Sequence, residues 1–128
     1  MEYRPLGRTG LRISALGLGT MTWGEQNSES EAHAQIEQAL AAGVNFIDTA
    51  EMYPVPPRAE TQRRTEAILG SWLARHPGQR DKLIIATKVA VRADWLPWIR
   101  AGAPLLTRLQ ITAALAARLP RPHTDSIT

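Results

Sequence analysis

Asp48, Tyr53 and Lys88 are the side chains of this 128-residue sequence best suited to move a proton together. Asp48 closes the apolar run Val44-Asn45-Phe46-Ile47. Tyr53 follows five positions later in a proline-rich loop, and Lys88 closes a second apolar run, Leu83-Ile84-Ile85-Ala86-Thr87. A free phenol titrates near pH ~10, too high for easy proton donation at neutral pH. A neighbouring ammonium stabilises the phenolate and lowers that value, and a carboxylate beside the ammonium keeps it charged and aimed. Such a cluster can act as a general acid toward an oxygen gaining negative charge, as a carbonyl oxygen does when hydride adds to its carbon. Residue types alone leave a plainer reading open. An aspartate after a strand is often a turn or cap residue, a tyrosine in a proline loop is often packing, and a lysine at a strand end is often solvated.

The elements that must position these groups follow from pattern. Tyr3-Arg4-Pro5-Leu6, the turn Gly7-Arg8-Thr9-Gly10 and Leu11-Arg12-Ile13 predict a hairpin. Ala15-Leu16-Gly17-Leu18 reads as a short buried strand running into the glycine-bounded loop Gly19-Thr20-Met21-Thr22-Trp23-Gly24. Ser28 with Glu31 predicts a capping box, and Ala32, Ile36, Ala39 and Leu40 share one helical face that Gly43 terminates. The strand Val44–Ile47 ends at Asp48. The prolines of Met52-Tyr53-Pro54-Val55-Pro56-Pro57 exclude a helix there.

A second helix is predicted from about Thr61 to Arg75, with Thr65, Ile68, Leu69, Trp72 and Leu73 as its inner face and His76-Pro77-Gly78 as its stop. The strand Leu83–Thr87 then leads to Lys88. Beyond it, Trp95-Leu96-Pro97-Trp98-Ile99 reads as a loop with aromatic anchors. Thr107 and Gln110 predict another capping box, opening a helix to about Leu119 whose face is Ile111, Leu115 and Leu119. Strands alternating with helices of this length argue for βαβ units and a parallel sheet buried on both faces. In a (β/α) barrel, reactive groups gather at the C-terminal strand ends, where Asp48, Lys88, the Tyr53 loop and the Gly19–Met21 loop all fall.

Composition bounds the alternatives. A hydrophobic share of 44% suffices for a packed core, and the absence of cysteine removes disulfides and thiolate metal sites. The opening Met1-Glu2-Tyr3-Arg4-Pro5 lacks the apolar stretch of a secretory signal. No run approaches the ~18 apolar residues of a membrane helix, so the expectation is a cytoplasmic protein without membrane partners. The net charge is +3, with ten basic and ten acidic residues balanced over 1–90 and five arginines against Asp94 and Asp125 over 91–128. These arginines are spread out and lack interleaved aromatics, so no nucleic-acid partner is expected.

Several motifs in order carry a resemblance. Leu6-Gly7-Arg8-Thr9-Gly10-Leu11 and Leu16-Gly17-Leu18-Gly19-Thr20-Met21 resemble the opening of an aldo-keto reductase. Phe46-Ile47-Asp48-Thr49-Ala50-Glu51-Met52-Tyr53 resembles that family's Asp/Tyr motif, and Ile85-Ala86-Thr87-Lys88 its lysine motif. Met52-Tyr53-Pro54-Val55-Pro56-Pro57-Arg58 and Gly24-Glu25-Gln26-Asn27-Ser28 are similar to the Tas-like branch. The resemblance is specific over residues 3–90 and fades over 91–128, so the chain is expected to be one partial domain.

The resemblance implies the N-terminal portion of an eight-stranded (β/α) barrel, preceded by a β-hairpin and left incomplete, in an NADP(H)-dependent oxidoreductase acting on small carbonyl substrates. It makes Tyr53 the general acid, tuned by Lys88 and Asp48. Gly19, Thr20, Met21 and Asp48 would lie at the nicotinamide end of the cofactor, and Trp23 and Tyr53 would border the substrate.

The family's fourth catalytic residue is a histidine after the fourth strand. His33, His76 and His123 are each expected to be ordinary surface histidines instead. Pro120 and Pro122 break the last helix, and in such barrels phosphate is commonly bound by loops after the seventh and eighth strands, so weak or absent turnover is expected from a truncated chain. The alternative is a non-catalytic half-barrel remnant, or a dimerising fragment that self-associates through its exposed barrel edge.

Overall fold

A computed structural model describes residues 1–91, 93–99 and 105–116. Strands β1 (Tyr3–Pro5) and β2 (Arg12–Ser14) pair antiparallel, with Tyr3 opposite Ser14 and Pro5 opposite Arg12. The turn between them needs left-handed backbone at Gly7 and Gly10, whose φ values are 56° and 79°. Asn45 fastens this hairpin to the rest of the chain. Its Oδ1 accepts from the Ser14 amide at 2.7 Å, and its Nδ2 donates to the Arg12 carbonyl at 2.9 Å.

Strands β3 (Leu18–Gly19), β4 (Phe46–Asp48) and β5 (Ile84–Ala86) form a parallel sheet in the order β3-β4-β5. Gly19 pairs with Asp48, and Asp48 with Ala86, so the C-terminal strand ends are level. Helices α1 (Glu29–Ala41) and α2 (Arg64–Arg75) form the crossovers. Ile47 and Ile85 join Ile36, Leu69, Trp72 and Trp23 in one buried cluster. Each aliphatic side chain buried there contributes about 1.5–3 kcal/mol. Among the described residues the sheet does not close into a barrel.

The ends of α1 are built as its sequence predicts. Ser28 and Glu31 form the reciprocal capping box. At the other end Gly43, with φ 83°, donates to the Leu40 carbonyl at 2.9 Å while Val44 donates to Ala39 at 2.8 Å, a complete Schellman motif. All five expected inner-face residues of α2 are buried.

Several boundaries differ for identifiable reasons. Residues 15–17 form no buried strand: Ala15 extends the hairpin by donating to Glu2, and Leu16 is 65% exposed. Val44 belongs to the helix cap and Asn45 to the hairpin brace, so β4 starts at Phe46 and Asp48 is its last residue. Helix α2 begins three residues later than expected, because Arg63 adopts φ 67° and its amide donates to the Tyr53 carbonyl at 3.1 Å. A 3₁₀ turn (Arg80–Lys82) precedes β5.

In the segment after β5, Leu96 and Ile99 are the buried anchors, whereas Trp95 is 60% exposed. Helix α3 (Arg108–Ala116) is capped by Thr107, but the Gln110 side chain accepts from Leu105 rather than from the cap. Its buried residue is Ala114, and Leu115, expected on the inner face, is exposed. Leu119, Pro120, Pro122 and His123 lie outside the described residues. No helix among the described residues is long and apolar enough to cross a membrane.

Candidate active site at the strand ends

The end of β4 delivers Asp48, and the backbone two residues past β5 delivers Lys88. The Lys88 ammonium donates to both Asp48 carboxylate oxygens, at 2.7 and 2.6 Å, and to the Thr49 carbonyl at 2.9 Å. It also sits 5.0 Å from the centroid of the Tyr53 ring. The three residues singled out from sequence are therefore brought together around one ammonium. With side chains 50% and 41% exposed, the Lys88–Asp48 pair contributes little stability, about 0–1 kcal/mol. Its effect is orientational: a lysine with three acceptor oxygens is held near the phenol ring.

Tyr53 is fixed through its backbone. Its amide donates to Ala50 at 3.1 Å, its carbonyl accepts from Arg63, and the Tyr53–Pro54 and Val55–Pro56 bonds are cis. The amide of Val55 donates to the Met21 carbonyl at 2.9 Å, and Arg58 pairs with Glu25 at 2.6 Å, tying this loop to the one after β3. The Tyr53 hydroxyl has no hydrogen-bond partner among the described residues.

The loop after β3 splits the remaining expected residues into two groups. Gly19 is exposed beside Asp48, and nothing lies within 4 Å of where a Cβ would stand. Met21 is 47% exposed next to it. Together they leave an open strip of backbone at the C-terminal strand ends.

Thr20 and Trp23 depart from their expected roles. Thr20 is fully buried, and both its amide and its hydroxyl donate to the Asp48 carbonyl, so it aligns β3 with β4 and offers no atom to a cofactor. Trp23 is also fully buried. Its indole N–H donates to Gln35 at 2.7 Å and its carbonyl accepts from Thr65, which makes it a core residue and not a substrate contact.

Four polar residues escaped the sequence reading, and three of them, His33, Glu51 and Glu66, are buried. His33 is 8% exposed, not a surface residue: its Nε2 lies 3.2 Å from the Ile68 carbonyl and 3.1 Å from the Ser71 hydroxyl, joining α1 to α2. His76 stacks on Trp72 and bonds that residue's carbonyl, so it closes α2. Neither histidine approaches Tyr53 through any of these contacts. Glu66 accepts from the Thr87 hydroxyl, and Glu51 is 1% exposed behind Lys88. Position 33 lies beside Ala32 and three residues before Ile36, so helical spacing alone could have marked it as inward.

A paired acid and amine, an open phenol and an exposed glycine thus gather at the C-terminal ends of three parallel strands. The family model for the aldo/keto reductase family matches residues 15–128, and the chain belongs to that family. It is 61% identical over 90 residues to Protein tas of Escherichia coli (strain K12), covering 70% of this chain and 26% of that protein. It is 45% identical over 89 residues to the uncharacterized oxidoreductase YrpG of Bacillus subtilis (strain 168), again covering 70% and 26%. An uncharacterized 11.2 kDa protein of Pseudescherichia vulneris is 38% identical over 89 residues, which are 70% of this chain but 86% of that one. A solved aldo-keto reductase structure from Pseudomonas aeruginosa superposes with a TM-score of 0.74 at 31% identity, over 98% of this chain and 43% of its own. The structural neighbours are TIM barrels, and the chain spans about a quarter of the length of the first curated relatives it matches, 26%.

Proposed function

We propose that the chain carries the proton-donating and nicotinamide-facing part of an NADP(H)-dependent oxidoreductase that reduces aldehyde and ketone carbonyls, and that by itself it turns over weakly. The observation that carries this reading is the Lys88 ammonium, held by Asp48 and facing the Tyr53 ring. Gly19, with open space above it, exposed Met21 and Asp48, which pairs with Gly19, are the residues that would hold the nicotinamide end of the cofactor. The chemistry that such a cofactor would supply there is hydride transfer to the carbonyl carbon. The Tyr53 hydroxyl gives its proton to the carbonyl oxygen, and the positive charge of Lys88 opposes the negative charge left on the phenol. Asp48 keeps Lys88 from swinging into solvent.

Steady-state NADPH oxidation with small aldehydes and quinones tests this. Slow oxidation that disappears in Tyr53→Phe supports it; oxidation that is indifferent to Tyr53 refutes it.

A second reading rests on a different observation. Strands β3 and β5 each pair on one side only among the described residues, and Leu106 and Leu109 of the α3 region are 58% and 81% exposed. Unpaired strand edges and apolar surface favour self-association through the barrel edge. A sedimentation series from micromolar to tens of micromolar chain separates the cases. A rise in mass with no thermal protection by NADPH favours the dimerising fragment, and NADPH protection favours the reductase.

A further inference from the structure

Glu51 is a charged side chain that the proton chemistry above does not use, and it is 1% exposed. A carboxylate removed from water stays in a fold only where hydrogen bonds compensate its lost hydration. Its Oε2 accepts from the Ala90 amide at 2.8 Å, and its own amide donates to the Lys88 carbonyl at 3.0 Å. Glu51 thus grips the backbone on either side of Val89. Position 51 also stands between Asp48 and Tyr53, on the loop that carries the phenol.

The Lys88 side chain is half exposed, and its ion pair with Asp48 is too solvated to fix the backbone that bears it. Lys88 lies two residues past the last strand residue, Ala86, where the ladder has ended. We infer that Glu51 is a positioning residue: its buried carboxylate and amide clasp residues 88–90, and this clasp sets where the Lys88 ammonium meets Asp48 and the Tyr53 ring. The inference rests on the reductase reading for its consequence in catalysis, but its geometry can be tested without turnover.

The chain contains two lysines, Lys82 and Lys88, so amine chemistry reports on the site with an internal control. Wild-type chain is treated with limiting acetic anhydride, and acetylation at each lysine is read by peptide mass spectrometry. Lys88, tied to three oxygens, reacts more slowly than exposed Lys82. In Glu51→Ala the Lys88/Lys82 ratio rises roughly three- to tenfold, the equivalent of losing one hydrogen bond.

Two further variants keep the test decisive if Glu51→Ala fails to fold. Glu51→Gln keeps an acceptor at full reach and stays within about twofold of wild type, whereas Glu51→Asp keeps the charge but falls short of Ala90 and behaves like alanine. An unchanged ratio in folded Glu51→Asp overturns the inference. So does a parallel rise at both lysines, which is general loosening, and so does glutamine behaving like aspartate. Absence of NADPH oxidation in wild type would count against the reductase reading and leave these ratios as they are.

Discussion

Around Lys88 the chain has assembled three oxygens and an aromatic ring, and this combination is what makes the site more than a surface ion pair. A solvated lysine would point anywhere. Here Asp48 and the Thr49 carbonyl hold it, and the Tyr53 hydroxyl is left without a partner among the described residues.

Outside that site, Glu29 links α1 to α2. The Ser71 hydroxyl donating to it holds its carboxyl below the ordinary 4.5, opposed by partial burial and helped by the charges of His33, Arg75 and Arg64. A carboxyl lowered on folding contributes stability that is complete above 4.5 and is lost as the pH falls through its lower folded value. Glu31 is lowered too, through its bonds from the Ser28 amide and hydroxyl, and acts in the same direction. The urea midpoint should therefore hold steady down to about pH 5 and then fall, and Ser71→Ala should flatten, without abolishing, that fall. A midpoint that rises on acidification would contradict this assignment.

At the scale of elements, the sequence is most legible where a local rule acts alone. The capping box at Ser28, the glycine stop at Gly43 and the five-residue inner face of α2 all form as their patterns dictate. Errors arise where a residue serves two elements at once. Asn45 looks like strand and is the hairpin's brace; Arg63 looks like helix and is the anchor of the Tyr53 loop; His33 looks like an exposed interruption and is a cross-link between helices. Trp23 is a related case, since a tryptophan beside an active-site loop has no local feature that tells a core residue from a substrate contact.

The strictest of the local rules gives a quantitative expectation. Gly43→Ala must hold a Cβ at φ 83°, and that Cβ would stand 3.0 Å from the Met1 Cβ and 3.2 Å from the Tyr3 hydroxyl oxygen. A cost of about 1–2 kcal/mol is expected from the left-handed backbone alone, read as a lower urea midpoint with the near-ultraviolet circular dichroism preserved. An unchanged midpoint would mean that the hairpin and helix end relax around the methyl group.

At the scale of the molecule, the hairpin, three strands and two crossover helices align one set of strand ends, and everything assigned to the site lies there. The order of strands and helices was legible from the alternation of short apolar runs with helical stripes, but the expected burial on both faces is not found: Ile47 and Ile85 are buried, whereas Phe46, Ile84 and Ala86 on the other face stay partly exposed. Which residues at those ends touch ligand and which merely brace the loops depends on side-chain direction, and Thr20 and Glu51 are braces that residue type does not distinguish from contacts. The family, its (β/α)-barrel neighbours and the level strand ends agree in supporting a reductase origin for this arrangement.

The central claim is that Tyr53, supported by Lys88 and Asp48, donates the proton. Single-turnover oxidation of NADPH by a small aldehyde, with the chain at stoichiometric concentration, addresses it most directly. Slow oxidation by the wild type that drops by about 10²–10⁴ in Tyr53→Phe, with unchanged thermal stability, is the result predicted for loss of a general acid. Equal rates in the two proteins, or no oxidation by either, would contradict it.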